Sequence, residues 1–140
     1  AAGTISRLID MGIPSYLIAE TMNLSVAQPL IRKLCENCKT EVDCNKDDFP
    51  SGFIFPYEIK RYYKANGCNQ CYHTGYQGRR AIYEVLDMGV KTVDVIKRNA
   101  LHELYKDKDN YATLPDKAFA ILAEGETSLE EIYSILINMN

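Results

Sequence analysis

Four of the five cysteines in this 140-residue chain stand as two pairs, Cys35-Glu36-Asn37-Cys38 and Cys68-Asn69-Gln70-Cys71, with 29 residues between them. Two residues between paired thiols let one tight turn aim both sulfurs at a single point, and a second such turn completes a tetrahedral shell. The expected occupant is one structural Zn²⁺ held by Cys35, Cys38, Cys68 and Cys71. With every position filled by protein, neither water nor substrate reaches the ion, so it would fold a lobe and catalyse nothing. Thioredoxin-like redox pairs fit less well, because a reactive Cys-x-x-Cys opens a helix after a strand and one pair suffices. Disulfides need an oxidising compartment, and an iron–sulfur cluster accepts the same four thiolates. Cys44 remains as a spare thiol, which suits a reducing compartment. His73 follows Cys71 closely and is expected beside the centre or on the surface, not as a fifth ligand.

Other chemistries leave no trace. No G-x-x-x-x-G-K-[ST] occurs, so no loop cradles nucleotide phosphates, and no apolar strand ends in an acidic pair suited to Mg²⁺. Catalytic and nucleotide-binding residues are therefore expected to be absent. His102 falls on an amphipathic helical pattern and reads as a boundary residue. Arg79 and Arg80 read as a solvated pair. The net charge of -3, with Glu36, Glu41, Asp43, Asp47, Asp48 and Glu58 inside the cysteine lobe, argues against a nucleic-acid surface. No apolar run reaches the length of a membrane span, and no leader pattern opens the chain. An opening of Ala1-Ala2-Gly3-Thr4 without Met suggests a piece of a longer protein.

The elements that must position the cysteines follow from periodicity. Residues 2–11 read as a helix with Ile5, Leu8 and Ile9 on one stripe, stopped at Gly12. Ser15 is expected to cap a short helix over 16–22. Residues 24–34 read as one strand leading into the first cysteine turn, with Pro29 forcing an edge or a bulge. Residues 41–51 are polar and acidic and read as a solvated loop. Residues 57–65 read as a short helix, with Ile59, Tyr62 and Tyr63 on one side. Phe49, Phe53, Phe55, Tyr57, Tyr62 and Tyr63 are expected to form a small core around the metal. A return strand follows over 81–86, with Ile82, Glu84 and Leu86 on one face. Residues 92–106 read as a helix, 107–110 as a polar break, and 115–124 as a helix closed by Gly125. Thr127 and Ser128 offer overlapping capping boxes with Glu130 and Glu131 for a last helix running to about Asn138.

Together these motifs resemble the C-terminal part of the secretion and pilus-assembly ATPases, namely the type II secretion traffic ATPase and the type IV pilus extension ATPase. The resemblance rests on residues 3–12, on Val26-Ala27-Gln28 with Leu30-Ile31-Arg32-Lys33-Leu34-Cys35, and on Gly67-Cys68-Asn69-Gln70-Cys71. It continues through Thr74-Gly75-Tyr76-Gln77-Gly78-Arg79 and Ile82-Tyr83-Glu84-Val85 to Gly125-Glu126-Thr127-Ser128-Leu129-Glu130-Glu131. Retraction-type relatives lack the cysteine insert. The resemblance implies an α/β fold, the last portion of a RecA-like P-loop ATPase domain with an inserted tetracysteine zinc lobe and a helical C-terminal subdomain. It implies segments 1–34 (partial RecA-like region), 35–71 (zinc insert), 72–90 (return strand) and 91–140 (helical subdomain). It also implies a cytoplasmic, hexameric parent that uses ATP and Mg²⁺ upstream of Ala1. The implied partners are the other subunits of that hexamer and an inner-membrane platform protein, through which the parent would lie at the membrane. One departure stands out, Gln28-Pro29 where the family commonly has Gln-Arg. The competing function is a stand-alone zinc adaptor that binds protein. In this reading a lost ligand unfolds the lobe and spares the helical end, while a truncated sheet exposes edges that recruit further copies.

Overall fold

The computed structural model describes residues 1–104, 106 and 112–137. The polar break expected over 107–110 and the helix end expected at Asn138 lie outside the described residues. Pro29 has no amide hydrogen to give a ladder, and the chain breaks there. Where one strand was expected over 24–34 there are two, β1 (Leu24–Ala27) and β2 (Leu30–Leu34). The return strand divides likewise, into β5 (Tyr76–Ala81) and β6 (Glu84–Asp87). β1 pairs antiparallel with β6, and β2 pairs antiparallel with β5 through a register shift between Arg32 and Leu34. The backbone carbonyl of Pro29 accepts from the Ile82 amide at 3.0 Å, which marks the joint.

Two compact units result, Ala1–Gln28 with Tyr83–Ala112, and Pro29–Ile82 with the residues from Thr113 onward. In the first unit α1 (Ala2–Asp10), α2 (Ser15–Thr21) and α3 (Val90–Lys97) surround a core of Ala2, Ile5, Ile18, Ala19, Leu86 and Ile96. Pro14, not Ser15, precedes α2 as its cap position, and Ser15 is already helical. α3 is shorter than expected. Asn99 turns left-handed at φ 55, and a single 3-10 turn, Leu101–Glu103, carries an exposed His102. The β1–β6 ladder buries Ser25, Glu84 and Leu86 and exposes Leu24, Val26 and Val85.

The second unit corrects two expectations. Residues 41–51 are not all loop, because β3 (Thr40–Asp43) pairs antiparallel with β4 (Arg61–Lys64), and the helix expected over 57–65 is that second strand. Opposite charges face each other across this pairing. Arg61 lies opposite Asp43 and bonds Glu41 at 2.8 Å and Asp43 at 3.2 Å, while the Tyr63 hydroxyl donates to Glu41 at 3.1 Å. Opposite charges facing across a ladder stabilise it. Tyr62 points the other way, into the core, with 1% of its surface exposed.

The aromatic core is not private to the cysteine lobe. Phe49, Phe53, Phe55 and Tyr57 place their ring centroids 5.2–6.3 Å from Phe119, a residue of α4 (Leu114–Ala123). Leu122 of α4 and Ile132 and Leu136 of α5 (Leu129–Ile137) complete the same cluster. Thr113 caps α4 with Asp116 in a reciprocal box, and the helix closes in a Schellman motif. There the Gly125 amide donates to Leu122 O at 3.0 Å and the Glu126 amide to Ile121 O at 3.2 Å. Gly125 takes φ 79, and a Cβ there would meet the Tyr63 ring at 2.9 Å.

The Thr113 cap gives a direct test of helix stability. Thr113→Ala removes the acceptor for the Asp116 amide, and a lost N-cap costs about 1 kcal/mol. Urea denaturation should show a lower midpoint with an unchanged slope.

Candidate metal centre

β2 delivers Cys35 at its end, and the first knuckle closes when the Cys38 and Lys39 amides donate to Cys35 O at 3.3 and 3.0 Å. The second knuckle is a 3-10 turn over Asn69–Cys71, with the Cys71 amide donating to Cys68 O at 3.3 Å. The Cys35 amide donates to Gly75 O at 2.9 Å and ties the two turns together. Gly75 is needed there, since its φ is 81 and a Cβ would sit 2.6 Å from the Ala65 Cβ.

The four Sγ atoms lie within 4.8 Å of one another. Cys35–Cys68 are 3.9 Å apart, and Cys38–Cys71 and Cys68–Cys71 are each 3.8 Å apart. These are not disulfides, whose sulfurs approach to about 2.05 Å. They match a tetrahedron around Zn²⁺, where Zn–S bonds of about 2.3 Å set the sulfur–sulfur edge at about 3.8 Å. The donor set fits as well as the spacing does. Asn37 Nδ2 donates to Cys68 Sγ at 3.3 Å, the Gly67 amide to Cys38 Sγ at 3.3 Å, and the Cys68 and Gly75 amides to Cys71 Sγ at 3.2 Å each. Such donors stabilise thiolate, the form that binds metal. The Asn37 amide leads in bringing the Cys68 thiol down to about 6. Burial pushes Cys71 up but is outweighed by the two backbone amides, leaving it lowered. Burial pushes Cys38 up to about 11 against the pull of the Gly67 amide. A closed four-thiolate cage of this kind can hold an ion and offers no open position for a reaction.

His73 is exposed, and its backbone amide, donating to Cys68 O at 2.8 Å, is its contribution to the knuckle. Cys44 is outside the cluster and half-buried, with burial raising its thiol. Arg80 is not merely solvated. It pairs with Glu126 at 2.8 Å and Glu124 at 3.3 Å.

A second layer that sequence reasoning missed braces the strand entering the first knuckle. Arg32 Nε and Nη2 donate to Glu131 Oε2 at 2.9 and 2.8 Å, and the Arg32 amide donates to Glu131 Oε1 at 2.9 Å. The Arg32 guanidinium stacks 4.1 Å from the Tyr76 ring centroid, and the Tyr76 hydroxyl meets Ser128 Oγ at 2.6 Å. Thr127 Oγ1 donates to Arg32 O at 2.9 Å, and the Leu34 amide to Glu126 O at 2.8 Å. Of the two expected capping boxes, Ser128 accepts from the Glu131 amide at 3.2 Å, but the Glu131 carboxylate goes to Arg32. The sequence signal was the acidic pair after Thr127-Ser128, legible as a cap and not as a partner for a strand 99 residues away.

This is a mixed α/β chain with open two-stranded sheets and a four-cysteine cluster able to coordinate a metal ion. The model of the Type II/IV secretion system protein family matches residues 1–134, and the chain belongs to that family. It is 34% identical over 138 residues to the type II secretion system ATPase E of Vibrio cholerae, covering 96% of this chain and 27% of that protein. It is 33% identical to the type IV pilus assembly ATPase PilB of Pseudomonas aeruginosa, covering 94% of this chain and 24% of that protein. Against PilB of Myxococcus xanthus the identity is 35%, over 94% of this chain and 24% of the relative. The chain thus spans about a quarter of the length of these relatives. No helix among the described residues is long and apolar enough to cross a membrane.

Metal removal should reach further than the lobe. Because Phe119, Leu122, Ile132 and Leu136 share the core with Phe49 and Tyr62, chelation or Cys38→Ser should lower far-UV helicity and the exchange protection of α4 and α5 together with the knuckles. Helices that keep full protection would mean the core stands without its staple.

The Arg32–Glu131 pair should write a pH dependence. Burial raises the Glu131 carboxyl, but the Arg32 hydrogen bond outweighs it and holds the group below the ordinary 4.5. A depressed acid contributes stability that is present above that ordinary value and lost as pH falls through the folded one. Glu131→Gln should therefore cost about 1 kcal/mol near neutrality, modest because Arg32 is half exposed. The gap to wild type should close as denaturation is measured at pH values falling below 4.5.

Proposed function

We propose that this chain is the C-terminal, non-catalytic portion of an ATPase that powers type II secretion or type IV pilus assembly, and that Cys35, Cys38, Cys68 and Cys71 hold one structural Zn²⁺. The observation that carries the reading is the set of sulfur separations of 3.8–3.9 Å, in a chain that matches the family over residues 1–134. The ion supplies a fixed tetrahedral joint when bound. The protein's own residues do the rest, the amides of Gly67, Cys68 and Gly75 and the Asn37 side chain steadying thiolate. ATP and Mg²⁺ chemistry belongs to the parent protein upstream of this chain, on a RecA-like domain whose last strands would be β1, β2, β5 and β6. The parent acts as a hexamer in the cytoplasm and meets the inner membrane through its partners.

The lobe also suits a role in coupling the motor to the inner-membrane platform protein, since a surface pre-organised by metal loses little entropy on binding. Arg61 is already held by Glu41 and Asp43, so the exposed ammonium groups of Lys60 and Lys64 are the better candidates for contact. The test uses the full-length protein carrying Lys60→Glu and Lys64→Glu, with zinc content and binding to the cytoplasmic part of the platform measured together. One zinc per chain with weakened platform binding supports the whole reading. Unchanged binding removes the coupling role, and metal-free protein, or a visible iron–sulfur band, removes the zinc assignment. A reading frame that opens at Ala1 would favour the stand-alone adaptor instead.

A further inference from the structure

The turn that joins α4 to α5 is gripped from one side by the first knuckle, and the grip is a single side chain. Lys39 directly follows the ligand Cys38. Its Nζ donates to Gly125 O at 3.1 Å, at the carbonyl end of α4. The same ammonium lies 4.6 Å from the Tyr63 ring centroid and 2.8 Å from Glu36 Oε2. Its side chain is only 18% exposed. A helix C-terminus collects unpaired carbonyls and partial negative charge, so a cation held there is favourably placed. Gly125 has no Cβ, and only for that reason can the Tyr63 ring close over the turn beside Lys39.

Other contacts hold this turn from the strand side, through Leu34, Arg32, Tyr76 and Arg80. They do not depend on how the first knuckle is folded beyond Cys35. Lys39 does, because its backbone amide is one of the two that close the knuckle on Cys35 O. We propose that Lys39 is the positioning residue through which the metal centre sets the α4–α5 turn. The inference rests on the zinc reading above. With metal bound, the knuckle fixes the Lys39 backbone and its ammonium lands on Gly125 O. Without it, the knuckle no longer aims that side chain and the turn is released.

Thermodynamic reciprocity makes the claim testable from both ends, since a side chain that couples metal to turn must let the turn hold the metal. The probes are Lys39→Met, which keeps an apolar stem over Tyr63 and removes the cation, and Lys39→Arg, which keeps it. In the zinc-loaded protein, amide exchange at Gly125 and Glu126, the two Schellman donors, should be about tenfold faster in Lys39→Met, the effect of one lost hydrogen bond. Protection in β3, β4 and the middle of α4 should stay as in wild type. The equilibrium for zinc transfer to a chromophoric chelator should shift toward the chelator in the same variant, and Lys39→Arg should restore both readouts. Wild-type exchange in Lys39→Met overturns the proposal, as does faster exchange spread evenly over the unit, which is general destabilisation. Faster exchange with unchanged zinc transfer also overturns it, because the grip would then be uncoupled from the metal. Zinc content measured on the same samples separates the two readings. One zinc per chain with a failed Lys39 test defeats the clamp alone, while metal-free protein defeats the zinc reading and the clamp with it.

Discussion

Four sulfur atoms held within 4.8 Å of one another are a demanding arrangement. All four can be thiolates at once only if they share a cation, because like charges so close disfavour ionisation, and a metal bound by them would contribute directly to folding free energy. The surrounding chain is built to meet that demand. Amides of Gly67, Cys68 and Gly75 point at sulfur, and the strand carrying Cys35 is fixed at its far side by the bidentate Arg32–Glu131 pair. The aromatic core then closes beneath, from Phe49 and Tyr62 to Phe119. The sulfurs converge where the β2–β5 ladder and the Cys35–Gly75 hydrogen bond already bring the two knuckles together.

Much of this is legible in the sequence alone. Cysteine spacing picks out the four side chains that converge, and apolar periodicity with Gly125 places α4 and the start of α5 nearly to the residue. The failures have physical causes. Residues 57–65 carry apolar side chains at helical spacing, but Arg61–Lys64 pair with β3 and bury Tyr62 in the core, and that tertiary context overrides the local period. The polar run over 41–51 looks solvated because its strand shows one face to water. Pro29 visibly troubles a strand, yet a sequence cannot say that each half will find its own partner. Phe119 escapes notice because it lies off the stripe formed by Ala118, Ile121 and Leu122, and nothing local reveals that the ring meets Phe53 and Phe55.

The lobe and the last two helices fall in one unit. An insert with a core of its own would be a decoration, free to vary or be lost. Here Phe119 and Ile132 bury themselves among lobe residues, so insert and helices share a single cooperative structure. The other unit has its own core around Ile5, Ile18 and Ile96.

The long reach of the Thr127–Arg32 and Glu131–Arg32 bonds, 95 and 99 residues apart in sequence, carries a consequence for biosynthesis. Contacts of such separation cannot form until Thr127 and Glu131 have been made, and topologies that depend on them close slowly. Cys71 precedes Glu131 by 60 residues, which at about 5–20 residues per second means a wait of about 3–12 seconds on the ribosome. Through that interval all four thiols exist without α5 to brace the strand that leads to Cys35. Completion of the four-thiol set and docking of α5 are thus separate events in time.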